Sequence, residues 1–233
     1  MEIINSKLIG TGACIPDFVL TNAMLEKMVD TNDEWIVQRT GVRERRIAKN
    51  THTWELALGA AQDALADAGI TAEKLDLILV STCSPDTNTP NTASILQDKL
   101  GARQVGAFDI NNACTGFVSA TDIADSYIKS GKAKTVLVVS AETLSRIVDY
   151  TDRSTCILFG DGAAAAVYQA TEDETVGILS TFTAADGSGA EYLHMEALPV
   201  EDPLSGDRTV DPKARFLKMQ GAPVVRFTAR AVP

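Results

Sequence analysis

Hydrophobic positions along the chain follow two patterns. Short, almost entirely apolar runs are typical of strands that are buried on both faces of a sheet. These runs occupy residues 75–80, 107–111 and 135–140. Longer stretches place their apolar side chains on one face of a helix and end at a glycine. These stretches occupy residues 53–68, 91–100 and 115–130. Because strands and helices alternate, the sequence predicts an α/β domain with a mostly parallel sheet, in which the three apolar runs are inner strands.

Other segments complete this prediction. Residues 6–13 begin as a strand and are expected to end in a turn at Gly10-Thr11-Gly12. Residues 162–169 and 176–183 flank an acidic turn and resemble an antiparallel hairpin. Residues 221–233 have the pattern of a helix that has only begun, so the chain is expected to stop before the domain is complete.

Two helices carry local details that can be checked. A helix is expected to begin at Thr31, because Thr31-Asn32-Asp33-Glu34 has the form of a capping box, which satisfies backbone N–H groups at a helix start. Within residues 115–130, Phe117 is expected to be buried on the same face as the small alanines.

Composition excludes several classes of protein. The 233 residues include 21 Lys and Arg against 31 Asp and Glu, a net charge of −10, and 45% are hydrophobic, as in ordinary globular proteins. The acidic balance argues against nucleic acid as a partner. No apolar run is long enough to cross a bilayer, and the first residues lack the basic flank of a signal peptide. We therefore expect a cytoplasmic protein that does not enter a membrane.

The four cysteines and two histidines limit the metal and disulfide chemistry that is expected. The cysteines are scattered and form no CxxC pair, which favours reduced thiols over a disulfide framework or a zinc site. His52 and His194 are expected to lie in a solvated turn and in a loop, so both are poor candidates for catalysis. The prediction is that the protein has no metal site.

Cys114 is the sharpest candidate for chemistry. It stands between the end of a predicted strand and the first turn of a predicted helix. Unpaired backbone N–H groups and the positive end of the helix dipole favour a thiolate there, which is the nucleophilic form of cysteine. A cysteine that merely packs like a small hydrophobic residue would give the same pattern, and neither histidine offers an obvious base.

Trp35 and Arg39 form a second candidate site. They are four residues apart on a predicted helix and share one face, where an indole and a guanidinium can hold a planar base and the guanidinium can bind phosphate. The alternative is a buried Trp35 and a solvated Arg39.

The run Arg43-Glu44-Arg45-Arg46 is either an anion-binding patch or a solvated face. Gly160-Asp161-Gly162 lacks the Lys-Ser/Thr of a P-loop, so close strand packing explains it without a ligand.

In order and spacing, these motifs resemble β-ketoacyl-[acyl-carrier-protein] synthase III, a branch of the thiolase superfamily. The matching motifs are Asp33-Glu34-Trp35-Ile36 with Arg39-Thr40-Gly41, Ala113-Cys114-Thr115-Gly116-Phe117, Thr151-Asp152-Arg153, and Phe159-Gly160-Asp161-Gly162-Ala163. The resemblance runs from about Leu8 to the end of the chain. It implies a thiolase-like α/β fold, layered αβαβα with two similar halves, usually in a homodimer. Residues 1–175 would form a complete first half, and residues 176–233 the beginning of a truncated second half.

The resemblance also implies a function. The family condenses an acyl-CoA primer with malonyl-acyl carrier protein to initiate fatty acid biosynthesis, and it needs no cofactor because the CoA thioester is the substrate. Cys114 corresponds to the residue that takes the acyl group as a thioester. The residues that correspond to the CoA-binding site are Trp35, Arg39, Thr40, Arg153, Phe159 and Gly221. Thr89 stands where the family often has an aromatic residue, which implies a roomier primer pocket.

The resemblance places two catalytic residues outside these 233 positions. In the family, a His in a His-Gln-Ala-Asn motif and a later Asn stabilise the enolate, and both would follow Pro233. The 233 residues alone are therefore expected not to condense substrates, since each missing donor costs about 10²–10³ in rate. Two alternatives remain: a non-catalytic acyl- or CoA-binding half-chain or subunit that needs a partner, and a related thiolase-superfamily synthase of secondary metabolism.

Overall fold

A computed structural model describes residues 4–197, 204 and 211–231. In chain order the helices and strands are β1 (Asn5–Cys14), β2 (Phe18–Thr21), α1 (Asn22–Leu25), α2 (Asp33–Thr40), β3 (Glu44–Ile47), α3 (Thr53–Ala68), β4 (Leu77–Ser81), α4 (Thr92–Lys99), β5 (Gly106–Ile110), α5 (Gly116–Lys129), β6 (Thr135–Thr143), β7 (Asp161–Thr171), β8 (Leu193–His194), β9 (Lys218–Met219) and α6 (Gly221–Ala231). Within the described residues, no helix is both long enough and apolar enough to cross a lipid bilayer.

The chain divides into two units. The first unit comprises Met1–Phe18, Arg46–Thr143 and Asp161–Thr183, and the second comprises Val19–Arg45, Leu144–Gly160 and Ala184–Pro233. The boundary predicted after residue 175 concerns the two halves of the family's fold, and it stays a prediction.

A five-stranded mixed sheet forms the centre of the first unit, in the order β1–β7–β6–β4–β5. Strand β4 lies between β5 and β6 and runs parallel to both, whereas β7 runs antiparallel to its neighbours β1 and β6. The predicted α/β sheet is therefore confirmed, but it is mixed rather than mostly parallel, since two of its four strand pairs are antiparallel. Its predicted order also needs a correction. The run at 107–111 belongs to β5, which is an edge strand, and β7 takes an inner position instead.

Helices cover both faces of this sheet. On one face, α3 and α4 pack against alternate residues of β4, β6 and β7, and on the other face α5 packs against the intervening residues. Because β4 is buried on both sides, all five of its residues are apolar or small, as the continuous run predicted. Helix α3 has the predicted bounds and ends at Gly69, whose φ of 66° is accessible to glycine without a Cβ penalty.

The glycines of β1 do not form the predicted turn. Strand β1 continues through Gly10 and Gly12 to Cys14, paired with β7. A Cβ built at Gly12 would lie 2.3 Å from the carbonyl oxygen of Ala60 and the amide nitrogen of Ala64 in α3. The glycines are therefore required by the close approach of helix to strand, and not by a change of chain direction.

The predicted hairpin of residues 162–169 and 176–183 is wrong. The first segment lies in β7, but β7 pairs with β1 and β6, and residues 176–183 form no strand. The side chains of Leu179 and Phe182 in that second segment are 95% and 86% exposed. Pairing with β1 and β6 buries more apolar surface of β7 than a local hairpin across the acidic turn would.

Two helix details are also corrected. The cap of helix α2 lies one residue later than predicted, because the Asn32 side chain accepts a hydrogen bond from the Trp35 amide in place of Thr31. In α5, Phe117 is 36% exposed, whereas Ala120, which the same prediction placed on the buried face, is fully buried.

The second unit contains α1, α2, the paired short strands β8 and β9, and α6. Its buried side chains include Leu25, Ile36, Val148 and Ile157. The helix expected from Gly221 onward is confirmed as α6. His194, expected in a loop, lies in the two-residue strand β8, which follows a 3-10 helix at Gly187–Tyr192.

Candidate active site

Cys114 lies where the sequence placed it, between the end of β5 and the start of α5. It is exposed and belongs to a single 3-10 turn, Ala113–Thr115, that leads directly into α5 at Gly116. The preceding residue, Ala113, has a φ of 42°, a left-handed conformation that costs a residue with a Cβ about 1–2 kcal/mol. Such strain persists only where the surroundings fix it, and it commonly marks a functional position.

Local contacts hold this turn in place. The backbone amide and hydroxyl of Thr115 both donate to the Asn112 carbonyl oxygen, at 3.2 and 3.0 Å, and the Asn112 side chain donates to the Ser119 hydroxyl at 2.7 Å. Gly116 lies directly over Ser81 at the end of β4, where an added Cβ would be 1.9 Å from the Ser81 Oγ. The first turn of α5 therefore packs closely on β4 at a position where any side chain would meet Ser81.

A second thiol and a carboxylate lie at the same edge of the sheet. The Glu142 side chain of β6 accepts a hydrogen bond from the Cys83 amide at 2.8 Å. Burial raises the pKa of Glu142 above its usual range. Burial, together with the charge of Glu142, a hydrogen bond to it and the proximity of Cys114, raises the pKa of Cys83 to about 12. Cys83 is therefore a protonated thiol at neutral pH.

Neither histidine hydrogen-bonds to Cys114 among the described residues. His52 precedes α3, where its backbone amide donates to Glu55 and its ring Nδ1 lies 3.0 Å from Asp86. The ring Nδ1 of His194 lies 3.2 Å from the carbonyl oxygen of Glu191. His52 is exposed and lies just before α3, in keeping with the solvated position expected for it. In the described part of the chain, no group of three or more His, Cys, Asp or Glu residues could hold a metal ion.

In the second unit, Trp35 is flanked by two guanidinium groups. The Cζ atom of Arg39 lies 5.9 Å and that of Arg153 5.0 Å from the centroid of the Trp35 ring, within the range of cation–π attraction. The shared helix face of Trp35 and Arg39 is thereby confirmed. Trp35 is half-buried and both arginines are exposed. The alternative, a buried Trp35 with a separate, solvated Arg39, therefore does not describe the site. Arg153 also donates to the carbonyl oxygen of Asp30 at 2.9 Å.

The other predicted CoA-site residues have different surroundings. The Thr40 hydroxyl donates to the carbonyl oxygen of Ile36 at 2.7 Å and accepts from the amide of Val42 at 3.0 Å, so it closes the end of α2. Phe159 is half-buried before β7, and Gly221 is exposed at the start of α6. In the first unit, Thr89 is exposed in the loop between β4 and α4.

The basic run does not form one anion-binding patch. Arg43 pairs with Asp33 at 3.2 Å, and Arg45 is only 5% exposed, with its guanidinium donating to the Asn22 side chain at 2.9 Å and the Ile157 carbonyl at 2.7 Å. Arg46 donates to backbone carbonyls. The run is thus mainly structural, which its charge pattern alone did not indicate.

The described fold is also found in a solved structure. The 3-oxoacyl-[acyl-carrier-protein] synthase III of Aquifex aeolicus VF5 superposes with a TM-score of 0.87 at 47% identity, over 97% of this chain and 68% of that chain. With its mixed sheet between helices and its cysteine at the start of α5, the chain is a thiolase-like α/β protein.

Sequence comparisons define the family. The family model for 3-oxoacyl-[acyl-carrier-protein (ACP)] synthase III matches residues 108–187. The β-ketoacyl-[acyl-carrier-protein] synthase III of Clostridium novyi is 46% identical over 98% of this chain and 69% of its own length. The enzyme of the same name from Xanthomonas campestris pv. campestris (strain 8004) is 56% identical over 82% of this chain and 58% of its own length. The chain belongs to the β-ketoacyl-[acyl-carrier-protein] synthase III family, and it matches roughly three fifths to two thirds of these relatives.

Proposed function

We propose that Cys114 of this chain takes the acyl group from an acyl-CoA primer, as the first step of the β-ketoacyl-[acyl-carrier-protein] synthase III reaction that initiates fatty acid biosynthesis. One observation carries the proposal: Cys114 is exposed, follows a strained residue and precedes the first turn of α5. A thiol in that position is open to a substrate and lies near the positive end of the α5 dipole. A merely packed cysteine needs neither exposure nor strain.

The reaction needs two transfers. The Cys114 thiolate attacks the carbonyl carbon of the acyl-CoA thioester, a C–S bond forms to Cys114, the C–S bond to CoA breaks, and CoA leaves as a thiolate that takes up a proton. Malonyl-acyl carrier protein then loses CO₂, and the resulting enolate carbon attacks the acyl carbonyl. This second step forms the β-ketoacyl product and returns the Cys114 thiolate. Thioester exchange and CO₂ loss supply the driving force, so the proposal includes no metal or redox cofactor.

The second transfer needs groups that the 233 residues do not contain. No His-Gln-Ala-Asn motif occurs in the sequence, and among the described residues the hydrogen-bond partners of His52 and His194 are Asp86 and Glu191. We therefore propose that a polypeptide of these 233 residues is acylated but does not condense. Each missing donor to the enolate would lower the rate by about 10²–10³. A condensation rate equal to that of a longer family member would refute this proposal.

The mass of the intact protein tests the acyl transfer. After incubation with acetyl-CoA, we expect an acetyl adduct that is absent from Cys114→Ala and retained in Cys14→Ala, which removes a half-buried thiol in β1. Absence of the adduct from the unmodified protein would contradict the acyltransferase function. It would favour the alternative in which the chain only binds acyl-CoA.

The second unit is proposed to hold CoA. The half-buried indole of Trp35, with Arg153 and Arg39 at 5.0 and 5.9 Å, offers a stacking surface for adenine and two cations for phosphate. Phe159 and Gly221 are proposed to contact the pantetheine arm. The Thr40 hydroxyl is engaged within α2, so its contribution is to the shape of this helix end.

CoA binding can be measured by quenching of Trp35 fluorescence in a Trp54→Phe background, which removes the other indole. We expect Arg153→Gln to weaken CoA binding about 5- to 30-fold, because it removes one stacked, charge-assisted contact of about 1–2 kcal/mol. Arg43→Gln is the matched control, since Arg43 is exposed in the same unit and pairs with Asp33. Equal affinities of the two variants would contradict the assignment.

Primer choice is proposed to depend on Thr89. Its side chain is smaller than an aromatic ring and exposed, which would leave room for longer or branched primers. Thr89→Phe is expected to shift the preference toward acetyl-CoA over isobutyryl-CoA in the same mass assay. An unmodified protein that already prefers acetyl-CoA strongly would contradict this role.

We also infer the setting in which this chemistry operates. Malonyl-acyl carrier protein is the proposed second substrate, the proposed assembly is a homodimer, and neither nucleic acid nor a membrane is a proposed partner. The proposed location is the cytoplasm, in keeping with four cysteines that are all unpaired. Sedimentation of the purified protein would test the dimer.

A further inference from the structure

Glu142 connects three segments next to Cys114. Its Oε1 accepts from the Cys83 amide at 2.8 Å, and its Oε2 accepts from the Ser84 hydroxyl and, at 3.4 Å, from the Thr82 hydroxyl. The Ser84 hydroxyl in turn accepts from the Thr143 amide at 2.8 Å. The Ser84 carbonyl oxygen accepts from the Thr53 hydroxyl at the start of α3, at 2.7 Å. The Glu142 carboxylate therefore fixes the segment that follows β4 to β6, and the Ser84 carbonyl oxygen fixes the same segment to α3.

Strand order explains why this network lies beside the nucleophile. In the parallel register, Ser81 of β4 is level with Ser140 of β6 and with Ile110 of β5. Two residues further along the chain come Cys83, just after β4, and Glu142, within β6, and Cys114 follows the end of β5. Because β4 is the middle strand, Cys83 has Glu142 on one side and the segment that leads to Cys114 on the other.

The backbone amides of Thr82 and Cys83 point to opposite sides, one towards β5 and the other towards β6. The Thr82 amide donates to the Ile110 carbonyl of β5 at 3.2 Å, and the Cys83 amide donates to Glu142. The Cys83 thiol feels the charge of Glu142 and of Cys114, and both raise its pKa. The structure thus places two thiols at one edge, with one of them beside a fixed carboxylate.

We propose that Glu142 is a positioning residue, which anchors the segment Thr82–Ser84 beside Cys114 and so directs acyl transfer to Cys114 and away from Cys83. The inference rests on the proposed function of Cys114 as the acyl acceptor. Glu142 does not touch the substrate. It acts by fixing the backbone of the neighbouring segment and by keeping the second thiol protonated, since a negative charge beside a thiol disfavours its thiolate.

Glu142→Gln is the main test. Glutamine keeps the shape of the side chain but carries no charge, and its amide nitrogen cannot accept from Ser84 and Thr82. We expect acetylation of Cys114 by acetyl-CoA to slow about 5- to 30-fold, as for the loss of one or two buried hydrogen bonds. We expect alkylation of Cys83 by iodoacetamide, measured at pH 8 by peptide mass mapping, to rise about tenfold.

Three further variants make this result specific. Glu142→Asp keeps the charge on a shorter side chain, so Cys83 should stay unreactive while acetylation of Cys114 is slowed. Glu174→Gln is the matched control, because Glu174 is exposed in the turn after β7, and neither rate should change. Ser84→Ala removes one partner of Glu142 without changing the charge, so it should slow acetylation without activating Cys83.

The outcomes separate this inference from the proposed function. An unmodified protein that gains no acetyl group would refute the role of Cys114. A second outcome would refute the role of Glu142. In it, the unmodified protein is acetylated, Glu142→Gln is folded, and its rates of Cys114 acetylation and Cys83 alkylation both stay within twofold of those of the unmodified protein. Should Glu142→Gln fail to give the far-ultraviolet circular dichroism of a folded protein, Ser84→Ala decides. A normal acetylation rate in Ser84→Ala then overturns the proposal, and a slowed one supports it.

Discussion

Gly116 is the residue through which the first turn of α5 rests on the sheet, and replacing it with alanine tests that contact. The added Cβ would lie 1.9 Å from the Oγ of Ser81 and 3.1 Å from its Cβ. Ordinary contacts between such atoms begin near 3.5 Å. Ser81 is 2% exposed, so its side chain has little room to turn away, and the turn that carries Cys114 must shift instead.

The expected magnitude follows from two opposing effects. Overpacking a filled interior costs about 1–3 kcal/mol, and 1.9 Å is severe enough to place Gly116→Ala at the upper end. Alanine recovers about 0.5–1 kcal/mol because it restricts the unfolded chain more than glycine does. The net loss is about 2 kcal/mol, which corresponds to a fall in Tm of about 4–8 °C for a protein of this size. Acetylation of Cys114 should slow as well, since its turn moves.

Urea unfolding followed by circular dichroism measures the loss, and a double-mutant cycle identifies its cause. Ser81→Gly removes both clashing atoms, so the pair Gly116→Ala with Ser81→Gly should show a favourable coupling of about 1–2 kcal/mol. Gly162→Ala is the control, because its Cβ would meet only the Cys14 carbonyl oxygen, at 3.9 Å, and it should be neutral or slightly stabilising. A Gly116→Ala protein within about 0.5 kcal/mol of the unmodified one, or a cycle without coupling, would refute the reasoning.

Three further predictions concern packing and charge. Gly12→Ala should destabilise by about 3 kcal/mol or more in urea unfolding, since its Cβ would be 2.3 Å from the α3 backbone, which cannot rotate aside. The carboxyl of Asp149 accepts a hydrogen bond from the Thr151 hydroxyl and pairs with Lys213, and these contacts lower its pKa to about 2 from 3.8. In Thr151→Ala, carbon NMR should find the pKa of Asp149 raised. Because the folded pKa is lowered, the stability that Asp149 contributes is present above its ordinary pKa and is lost as pH falls towards 2, so Asp149→Asn should match the unmodified protein there. Arg45→Met should cost about 3 kcal/mol in the same unfolding assay, because it leaves buried carbonyl oxygens without donors.

The parts of the fold that depend on local sequence were predictable. Helix α3 has its predicted bounds because its alanine face, its polar start and Gly69 all act within a few residues. Strand β4 was predictable because burial on both faces leaves a continuous apolar run. The position of Cys114 belongs to the same class, since the strand end and the helix start are adjacent in the chain.

Features that depend on distant partners were not predictable. Gly10 and Gly12 match a turn locally, and only the packing of α3 on β1 shows why a strand contains them. Strand β7 lacked a visible sign that its partners are β1 and β6 rather than the segment that follows it. Cys83 and Glu142 are 59 residues apart, and their meeting depends on the parallel register of β4 and β6. The available signal was weak: both residues follow predicted inner strands, whose carboxyl ends share one edge.

The candidate chemistry of the first unit is thus a property of strand order rather than of any one motif. Had β5 lain between β4 and β6, the strand that leads to Cys114 would have been next to Glu142, and the carboxylate would have opposed formation of the nucleophilic thiolate. With β4 in the middle, the carboxylate meets Cys83 first, and its hydrogen bonds go to the segment Thr82–Ser84. The same burial that raises the pKa of Glu142 makes its contacts strong, because few waters compete for them. The order of three parallel strands therefore separates the Glu142 carboxyl group from the proposed nucleophile Cys114 while keeping both at the carboxyl end of the sheet.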